Sequence, residues 1–286
     1  MVILLDKSTK VIVQGITGYQ GLFHAKKMRD YGTNVVGGTR PGKGGTEVEG
    51  FPVFDSVAEA VEKVGATASI IFIPKQGVKI AVYEAIDAGI KLIIVITEGV
   101  PKMDVMAMVK RVRDNDIVMI GPNCPGLITP GQAKMGIIPG NIVKPGEVGV
   151  VSRSGTLTYE VLDQLTRAGL GQTSCIGIGG DPIKATNFVQ VLKMFQDDPA
   201  TKKIVMLGEI GGAAEEDAAK FIKEYPVTKR MAGFIAGKTA REGKTMGHAG
   251  AIIQGNVGTA QGKIDALTAV GVKMAEKISD IPNLLK

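Results

Sequence analysis

Lys10-Val-Ile-Val-Gln14 runs into Gly15-Ile-Thr-Gly18-Tyr-Gln-Gly21, and Leu22–Arg29 follows with helical character. A short apolar strand, a glycine loop and a helix start in this order make a cradle for phosphate, because the first N–H groups of a helix are free and its dipole favours an anion. The spacing is G-x-x-G-x-x-G, not the G-x-G-x-x-G of dinucleotide folds, and a plain tight turn would use the same glycines. The next strand, Asn34-Val-Val36, lacks the acidic residue that would bind a ribose 2′-hydroxyl. In its place stands a basic glycine loop, Arg40-Pro-Gly-Lys43-Gly-Gly45. Such a loop suits a phosphate on an adenosine ribose, the 2′-phosphate of NADP or the 3′-phosphate of CoA.

Outward from this unit the pattern repeats its logic. Ser69–Ile73, Leu92–Ile96 and Val118–Ile120 are β-branched runs apolar on both faces, as buried parallel strands are. Helical stretches Val57–Val64, Val78–Ala88 and Asp104–Asp114 lie between them. Alternation of this kind specifies right-handed crossovers and a doubly wound α/β sheet. The stretch Gly121–Gly149 is rich in proline and glycine and reads as an ordered connection, its core over 125–147. Alternation then resumes: strands are expected at Val148–Val151, Cys175–Ile178, Ile204–Leu207 and Met231–Ile235, with helices at Thr156–Ala168, Phe188–Gln196 and Glu215–Glu224. Two domains follow, 1–124 and 125–286, with no sequence repeat between them.

Composition fits a chain that buries substantial cores, and its modest positive excess suits a protein that binds phosphates. Of 286 residues 44% are hydrophobic, enough for two cores, and the 39 glycines fall at the ends of apolar runs where turns and ligand approach need them. The net charge of +6 is scattered and aromatics are only 5%, which argues against nucleic acid. The two cysteines, Cys124 and Cys175, form no C-x-x-C pair, so neither a disulfide framework nor a metal site is indicated. The N-terminal run from Met1 is too short for a signal peptide and no apolar stretch reaches the ~20 residues of a membrane span. A cytoplasmic location is therefore expected.

The second domain offers two more anion cradles. Val150-Val-Ser-Arg-Ser154-Gly155-Thr156 is again strand, small-residue loop and helix, with Ser154 either capping the helix or leaving its N–H groups for phosphate. Gly177-Ile-Gly-Gly180-Asp181-Pro182 is the other. Only two histidines exist. His24 sits in the first helix and reads as a packing or surface residue. His248 is flanked by glycines in Gly247-His-Ala-Gly250 and reads either as a nucleophile or as an exposed loop residue. A nucleophilic histidine needs one ring nitrogen held by an acceptor, and Glu209, ending a strand in the same domain, could supply it; it could equally be a helix N-terminal acid. Cys124 has no neighbour in sequence that would activate it and reads as a small residue lining the site. No G-x-x-x-x-G-K-[ST] is present: Gly233–Thr239 is one residue short between its glycines. A nucleotide would have to be held by another chain.

Taken together, Pro41–Gly45, Ile96–Gly99, Gly121–Gly126, Ser152–Tyr159, Gly177–Pro182 and Gly247–Ile252 resemble the α subunits of succinyl-CoA synthetases, from about Lys10 to Ile278. The resemblance implies a Rossmann-like CoA-binding domain followed by a flavodoxin-like domain. It implies that Thr17, Gly18, Tyr19, Gln20, Lys43, Ile96, Thr97 and Glu98 contact CoA, which is a substrate. It further implies that Ser154 and Gly155 bind phosphate, that Tyr159 lies near the acyl group, and that His248, oriented by Glu209, becomes phosphohistidine. Tyr19 departs from the serine frequent in the family, so the resemblance carries over a backbone contact there and not one from the side chain. The implied partner is an ATP-grasp-type β subunit carrying Mg²⁺ with ADP/ATP or GDP/GTP, in an αβ or (αβ)₂ assembly. An NADP oxidoreductase, a CoA-sensing module without activity and a sister ligase acting on malate, citrate or acetate are the rival readings.

Overall fold

A computed structural model describes residues 3–225, 227–253 and 257–286 of the chain; Met1 and Val2 of the N-terminal run lie outside them. The first sheet holds β1 (Val11–Gln14), β2 (Val35–Thr39), β3 (Glu47–Val48), β4 (Phe51–Phe54), β5 (Ala68–Ile71), β6 (Leu92–Val95) and β7 (Val118–Ile120), in the order β3-β4-β2-β1-β5-β6-β7. All neighbours are parallel except β3 and β4. Helices α1 (Tyr19–Tyr31), α2 (Val57–Val64), α3 (Val78–Asp87) and α4 (Lys102–Asp114) supply the crossovers. Leaving β3 aside, this is the Rossmann order, and the order of strand addition reverses between β1 and β5.

The second sheet holds β8 (Gly126–Thr129), β9 (Ala133–Gly136), β10 (Pro145–Ser152), β11 (Gln172–Gly177), β12 (Lys203–Glu209), β13 (Arg230–Ala236) and β14 (Lys273–Met274), in the order β14-β13-β12-β10-β11-β8-β9. Helices α5 (Gly155–Arg167), α6 (Phe188–Asp197), α7 (Ala214–Glu224) and α8 (Ala260–Thr268) accompany it. Its parallel strands run in the flavodoxin order, with the reversal between β10 and β12. Each sheet thus places a ligand crevice beyond the C-terminal ends of two particular strands.

The stretch expected to connect the two units is more than a connection. β8 and β9 form a hairpin, and β8 pairs antiparallel with β11 at the sheet edge. Pro125 and Pro130 flank β8 and Pro145 opens β10 as its first residue, while the glycines solve a packing problem: a Cβ on Gly126 would meet the Met135 carbonyl oxygen at 2.1 Å. Proline and glycine content read as loop, but here it permits two strands to approach closely. The strands β3, β4 and β14 were likewise not foreseen: β3 and β14 are two residues long, and the apolar run of β4 is interrupted by Pro52.

The glycine loop after β1 has a steric reason as well. A Cβ on Gly21 would meet the Gly15 carbonyl oxygen at 2.2 Å, so α1 rests directly on the turn that precedes it. Among the described residues, no helix is long and apolar enough to cross a membrane.

Candidate functional site

The crevices of the two sheets open into one cleft of about 530 Å³. Gln20, Phe72, Ile73, Ile96, Thr97 and Glu98 line it from the first unit, and Gly155, Thr156 and His248 from the second. Asn123, Cys124 and Pro125 form the wall where the chain passes between them. Asn123 also clasps the two halves together: its N–H donates to the Thr97 carbonyl at 3.0 Å, and its side-chain Nδ2 donates to Asp181 Oδ1 at 2.9 Å. The Thr97 hydroxyl donates to the Ile73 carbonyl at 2.7 Å and so ties together the loops after β5 and β6.

On the first unit's side, α1 begins at Gly18 with no side-chain cap, and Thr17, Gly18, Tyr19 and Gln20 are all exposed. The Tyr19 ring is 82% exposed and stacks only on Phe23, so its side chain is not part of the cleft wall. The basic loop is held open by Asp55, whose Oδ1 accepts from the N–H groups of Lys43 and Gly44. The hydrogen bond from Gly44 chiefly holds the Asp55 carboxyl below its usual range; burial opposes this, and Gly42, Lys43 and Lys63 add to it. Lys43 itself is exposed, and its ammonium makes no hydrogen bond among the described residues. Lys43 stands outside the cleft rim.

On the second unit's side, Ser154 caps α5 by accepting from the Leu157 N–H at 3.3 Å. The cap takes the third amide of the helix. The N–H groups of Gly155 and Thr156, which line the cleft, find no acceptor among the described residues. That leaves the positive end of the helix dipole and two donors facing the space in front of His248. Tyr159 lies one turn further along α5, half-buried, packed against a cluster that includes Ile128 and Cys175, and does not line the cleft. Burial pushes its phenol up to about 12.

His248 rides on a compact loop closed by backbone hydrogen bonds from Met246 to Ala251 and from Gly243 to Ile253. Its ring presses on Gly180, and Gly250 on Gly211. Nδ1 lies 2.8 Å from Glu209 Oε2 at the end of β12. Nε2 makes no hydrogen bond among the described residues. The hydrogen bond to Glu209 raises the His248 pKa above its ordinary value; burial opposes this, the Glu209 charge adds to it, and Arg153 works against it. A carboxylate on Nδ1 fixes the neutral ring with its proton there and the lone pair on Nε2. Of the two readings of Glu209, the structure therefore places it on the histidine; the acids at the start of α7 are Glu215, Glu216 and Asp217. His24 packs between Phe23 and Phe72, and burial lowers it to about 4, with Lys134 contributing. Cys124 lines the cleft as a buried thiol raised to about 12, chiefly by burial, with Sγ 3.2 Å from the Val95 carbonyl. Among the described residues no cluster of three or more His, Cys, Asp or Glu could hold a metal ion.

Three features escaped the sequence reading. The Asn123–Asp181 clasp sits inside two quoted motifs, but nothing in either shows that they meet. Arg153 is buried behind Glu209, and Glu215 and Lys263, each fully buried, form an ion pair with one another and, through Glu215, with Arg153.

Comparison with known proteins supplies independent findings. The CoA binding domain family matches residues 6–99, and the CoA-ligase family matches residues 151–273. A succinate–CoA ligase [ADP-forming] subunit alpha 2 of Archaeoglobus fulgidus is 55% identical over 285 residues, covering 100% of this chain and 99% of that one. A succinate–CoA ligase [ADP-forming] subunit alpha of Staphylococcus aureus is 53% identical, covering 100% and 94%. Among solved structures, an ATP citrate lyase from Methanothrix soehngenii in complex with citrate and coenzyme A superposes with a TM-score of 0.90 at 26% identity, over 99% of this chain. The chain spans about half the length of that lyase, 50% of it. A dinucleotide-forming acetyl-coenzyme A synthetase of Ca. Korarchaeum cryptofilum shares the fold, with a TM-score of 0.76 at 18% identity.

Proposed function

The chain belongs to the family of succinate–CoA ligase α subunits, and from that membership we propose that it passes a phosphoryl group through His248, between an acyl phosphate formed in the cleft and a nucleotide held by a partner β subunit. The observation that carries the reading is the pairing at His248: Nδ1 is tied to Glu209 at 2.8 Å while the ring lines a cleft shared with the N-terminus of α5.

The reaction follows from the parts. Phosphate attacks the thioester carbonyl of succinyl-CoA, giving succinyl phosphate and the CoA thiol. Nε2 of His248 then attacks phosphorus, the P–O bond to the acyl group breaks, and succinate leaves. The phosphoryl group next passes to ADP, regenerating the histidine. Gly155 and Thr156 at the α5 N-terminus stabilise the phosphoryl oxygens, and Ser154 holds that helix start in place. Glu209 keeps Nε2 unprotonated in the neutral ring and stabilises the charge that appears on it. On the first unit, the uncapped N-terminus of α1 with Thr17, Gly18, Tyr19 and Gln20, the Lys43 loop, and Ile96, Thr97 and Glu98 bind CoA. Tyr159 supports the acyl end through α5 and does not touch it from the cleft wall.

The ADP-forming names of the two curated relatives favour ADP over GDP. The sequence carries no phosphate-binding loop of the NTPase kind, which favours a nucleotide and Mg²⁺ held by a partner chain; we propose an ATP-grasp-type β subunit, in an αβ or (αβ)₂ assembly acting in the cytoplasm. We place the border between the CoA-binding and ligase domains at 124/125, where the chain leaves β7 for β8. The test is thioester formation, followed by absorbance, from CoA, ATP, Mg²⁺ and each of succinate, malate, citrate and acetate, with the partner present. Succinate is expected to be used most efficiently, and His248→Asn to abolish turnover. Preference for citrate or acetate, or a fully active His248→Asn, would overturn the reading.

A further inference from the structure

Behind the Glu209–His248 pair lies a buried ionic cluster that neither the fold nor the phosphotransfer step obviously requires. Arg153, 3% exposed, follows β10. Its Nη1 donates to Glu215 Oε1 at 2.9 Å, to the Gly211 carbonyl at 3.1 Å and to the Glu209 carbonyl at 3.4 Å. Its Nη2 stands 3.3 Å from Glu209 Oε1, within ion-pair range but not hydrogen-bonded. Glu215 Oε1 also accepts the backbone N–H of Glu209 at 3.2 Å. Lys263, on α8, closes the cluster from behind by donating to Glu215 Oε2, and to Glu216 Oε2 at 3.2 Å.

Arg153 therefore hydrogen-bonds the backbone that carries Glu209 and faces the back of its carboxylate as an ion-pair partner. Glu215 grips the same backbone amide and is itself immobilised by two cations. Burial alone would push the Glu215 carboxyl up; Arg153 and Lys263 more than offset this and hold it ionised. Buried ion clusters of this kind are poor stabilisers, since apolar residues of equal volume commonly serve as well. Two of its polar atoms, Arg153 Nε and Glu209 Oε1, have no hydrogen-bond partner among the described residues. Unsatisfied buried groups beside a reacting histidine call for a reason other than stability.

We propose that Arg153, clamped by Glu215 and Lys263, is a positioning residue for phosphotransfer: it fixes the Glu209 carboxylate so that Oε2 alone meets Nδ1 of His248, and its charge limits how strongly Glu209 draws a proton onto the ring. The proposal rests on the reading of His248 as the phosphoryl carrier. Among the described residues, the charged groups acting on His248 are Glu209 from β12, Arg153 after β10 and Asp181 after β11; Lys184, Glu215 on α7 and Lys263 on α8 surround Arg153, Glu209 and Asp181 one layer behind. Arg153 is the cation in ion-pair contact with Glu209 and so is the group placed to oppose it.

Three variants separate the roles, each in the full chain assembled with its partner subunit. Arg153→Lys keeps the charge and loses the fork; Arg153→Met loses both; the double variant Glu215→Leu/Lys263→Met removes the clamp as a neutral pair. With ¹⁵N-histidine in this chain only, the two imidazoles give two sets of ring signals, and His24 serves as the internal control. Loss of about 1 Å in placement costs about a hundredfold in rate. Arg153→Met and the double variant should therefore slow His248 phosphorylation from labelled ATP by about that factor, with KM for CoA unchanged and the single Nδ1–H tautomer lost. Arg153→Met should also move the His248 titration to higher pH. Arg153→Lys should lose rate while its titration stays near the wild type. A wild-type tautomer and rate in the folded double variant, or a rate that falls only as folded protein is lost in all three, would overturn the positioning role. Wild-type protein that takes no label at His248 would instead sink the phosphotransfer reading, and the tautomer and titration measurements would still decide the role of Arg153.

Discussion

Gly180 is where the account can be tested with a single added methyl group. The His248 ring lies against it: a Cβ at Gly180 would stand 2.3 Å from His248 Cγ, 2.4 Å from Nδ1 and 2.7 Å from Cδ2. Gly180 does not adopt a positive φ, so alanine is allowed by the backbone and the effect is steric. Opening 2.3 Å to an ordinary contact of 3.4 Å or more displaces the ring by roughly 1 Å. The 2.8 Å hydrogen bond from Nδ1 to Glu209 does not survive that shift with its geometry intact. A misplacement of about 1 Å costs about a hundredfold, or about 2.7 kcal/mol in the barrier. Overpacking a buried site also costs about 1–3 kcal/mol of stability, so thermal unfolding must be followed alongside. The assay is a rapid-quench measurement of His248 phosphorylation from ATP, with partner and Mg²⁺ present. Gly180→Ala that folds and phosphorylates within threefold of wild type would refute the claim that the seat of this ring governs the step.

Other expectations follow from the same geometry. Glu209→Gln turns an amide toward Nδ1 and favours the tautomer with the proton on Nε2; by analogy with the orienting acid of serine proteases, a loss on the order of 10³–10⁴ in phosphorylation rate is expected, and a loss under tenfold would contradict the orienting role. Because Glu209 raises the His248 pKa above 6.5, the acid limb of the rate should lie above pH 6.5: the protonated ring has no free Nε2 lone pair, so rate falls as pH drops through the raised value. An acid limb well below pH 6 in single-turnover phosphorylation would be inconsistent with the Glu209 pairing. Lys43→Ala should raise KM for CoA by about tenfold with kcat unchanged, and should leave KM for CoA lacking its 3′-phosphate unaltered; equal losses for both would place Lys43 elsewhere. Lys184 is mostly buried, and burial, with help from Arg153, lowers it to about 8 from 10.5. The unfolded chain then binds more protons than the folded one between those values, so stability rises with pH through that window and the full penalty is present below it. Lys184→Met should therefore raise the melting temperature at pH 7, by an amount reflecting at most roughly 3 kcal/mol, and a lowered melting temperature would contradict this.

Much of the fold was legible because its signals are local. β1, the glycine loop and α1 follow from a strand of buried β-branched residues and a Gly15–Gly21 contact that tolerates no side chain. Ser154 was read as a cap, and it caps; the cradle reading survives beside it, since the cap consumes only the Leu157 amide. His248 and Glu209 were paired across 39 residues because a nucleophilic histidine needs an acceptor and a strand end in the same domain carried one. The cluster behind them was not legible. Lys263 sits in an ordinary helical stretch, and nothing in its neighbours announces that it is fully buried against an acid 48 residues earlier. Glu215 looks like any helix N-terminal acid until Arg153 is folded beneath it. The β8–β9 hairpin was hidden by the prolines at its corners, and Tyr159 sits against the core of the second unit rather than on the cleft wall through packing that no periodicity reports.

The central claim is that His248 carries phosphate between two sites, one of them on another chain. Incubating the complex with γ-labelled ATP and Mg²⁺, without succinate or CoA, tests it in one step. Acid-labile, alkali-stable label is predicted on the tryptic peptide that contains His248, discharged by succinate with CoA and absent from His248→Asn. An active complex that never carries label on that peptide would contradict the claim.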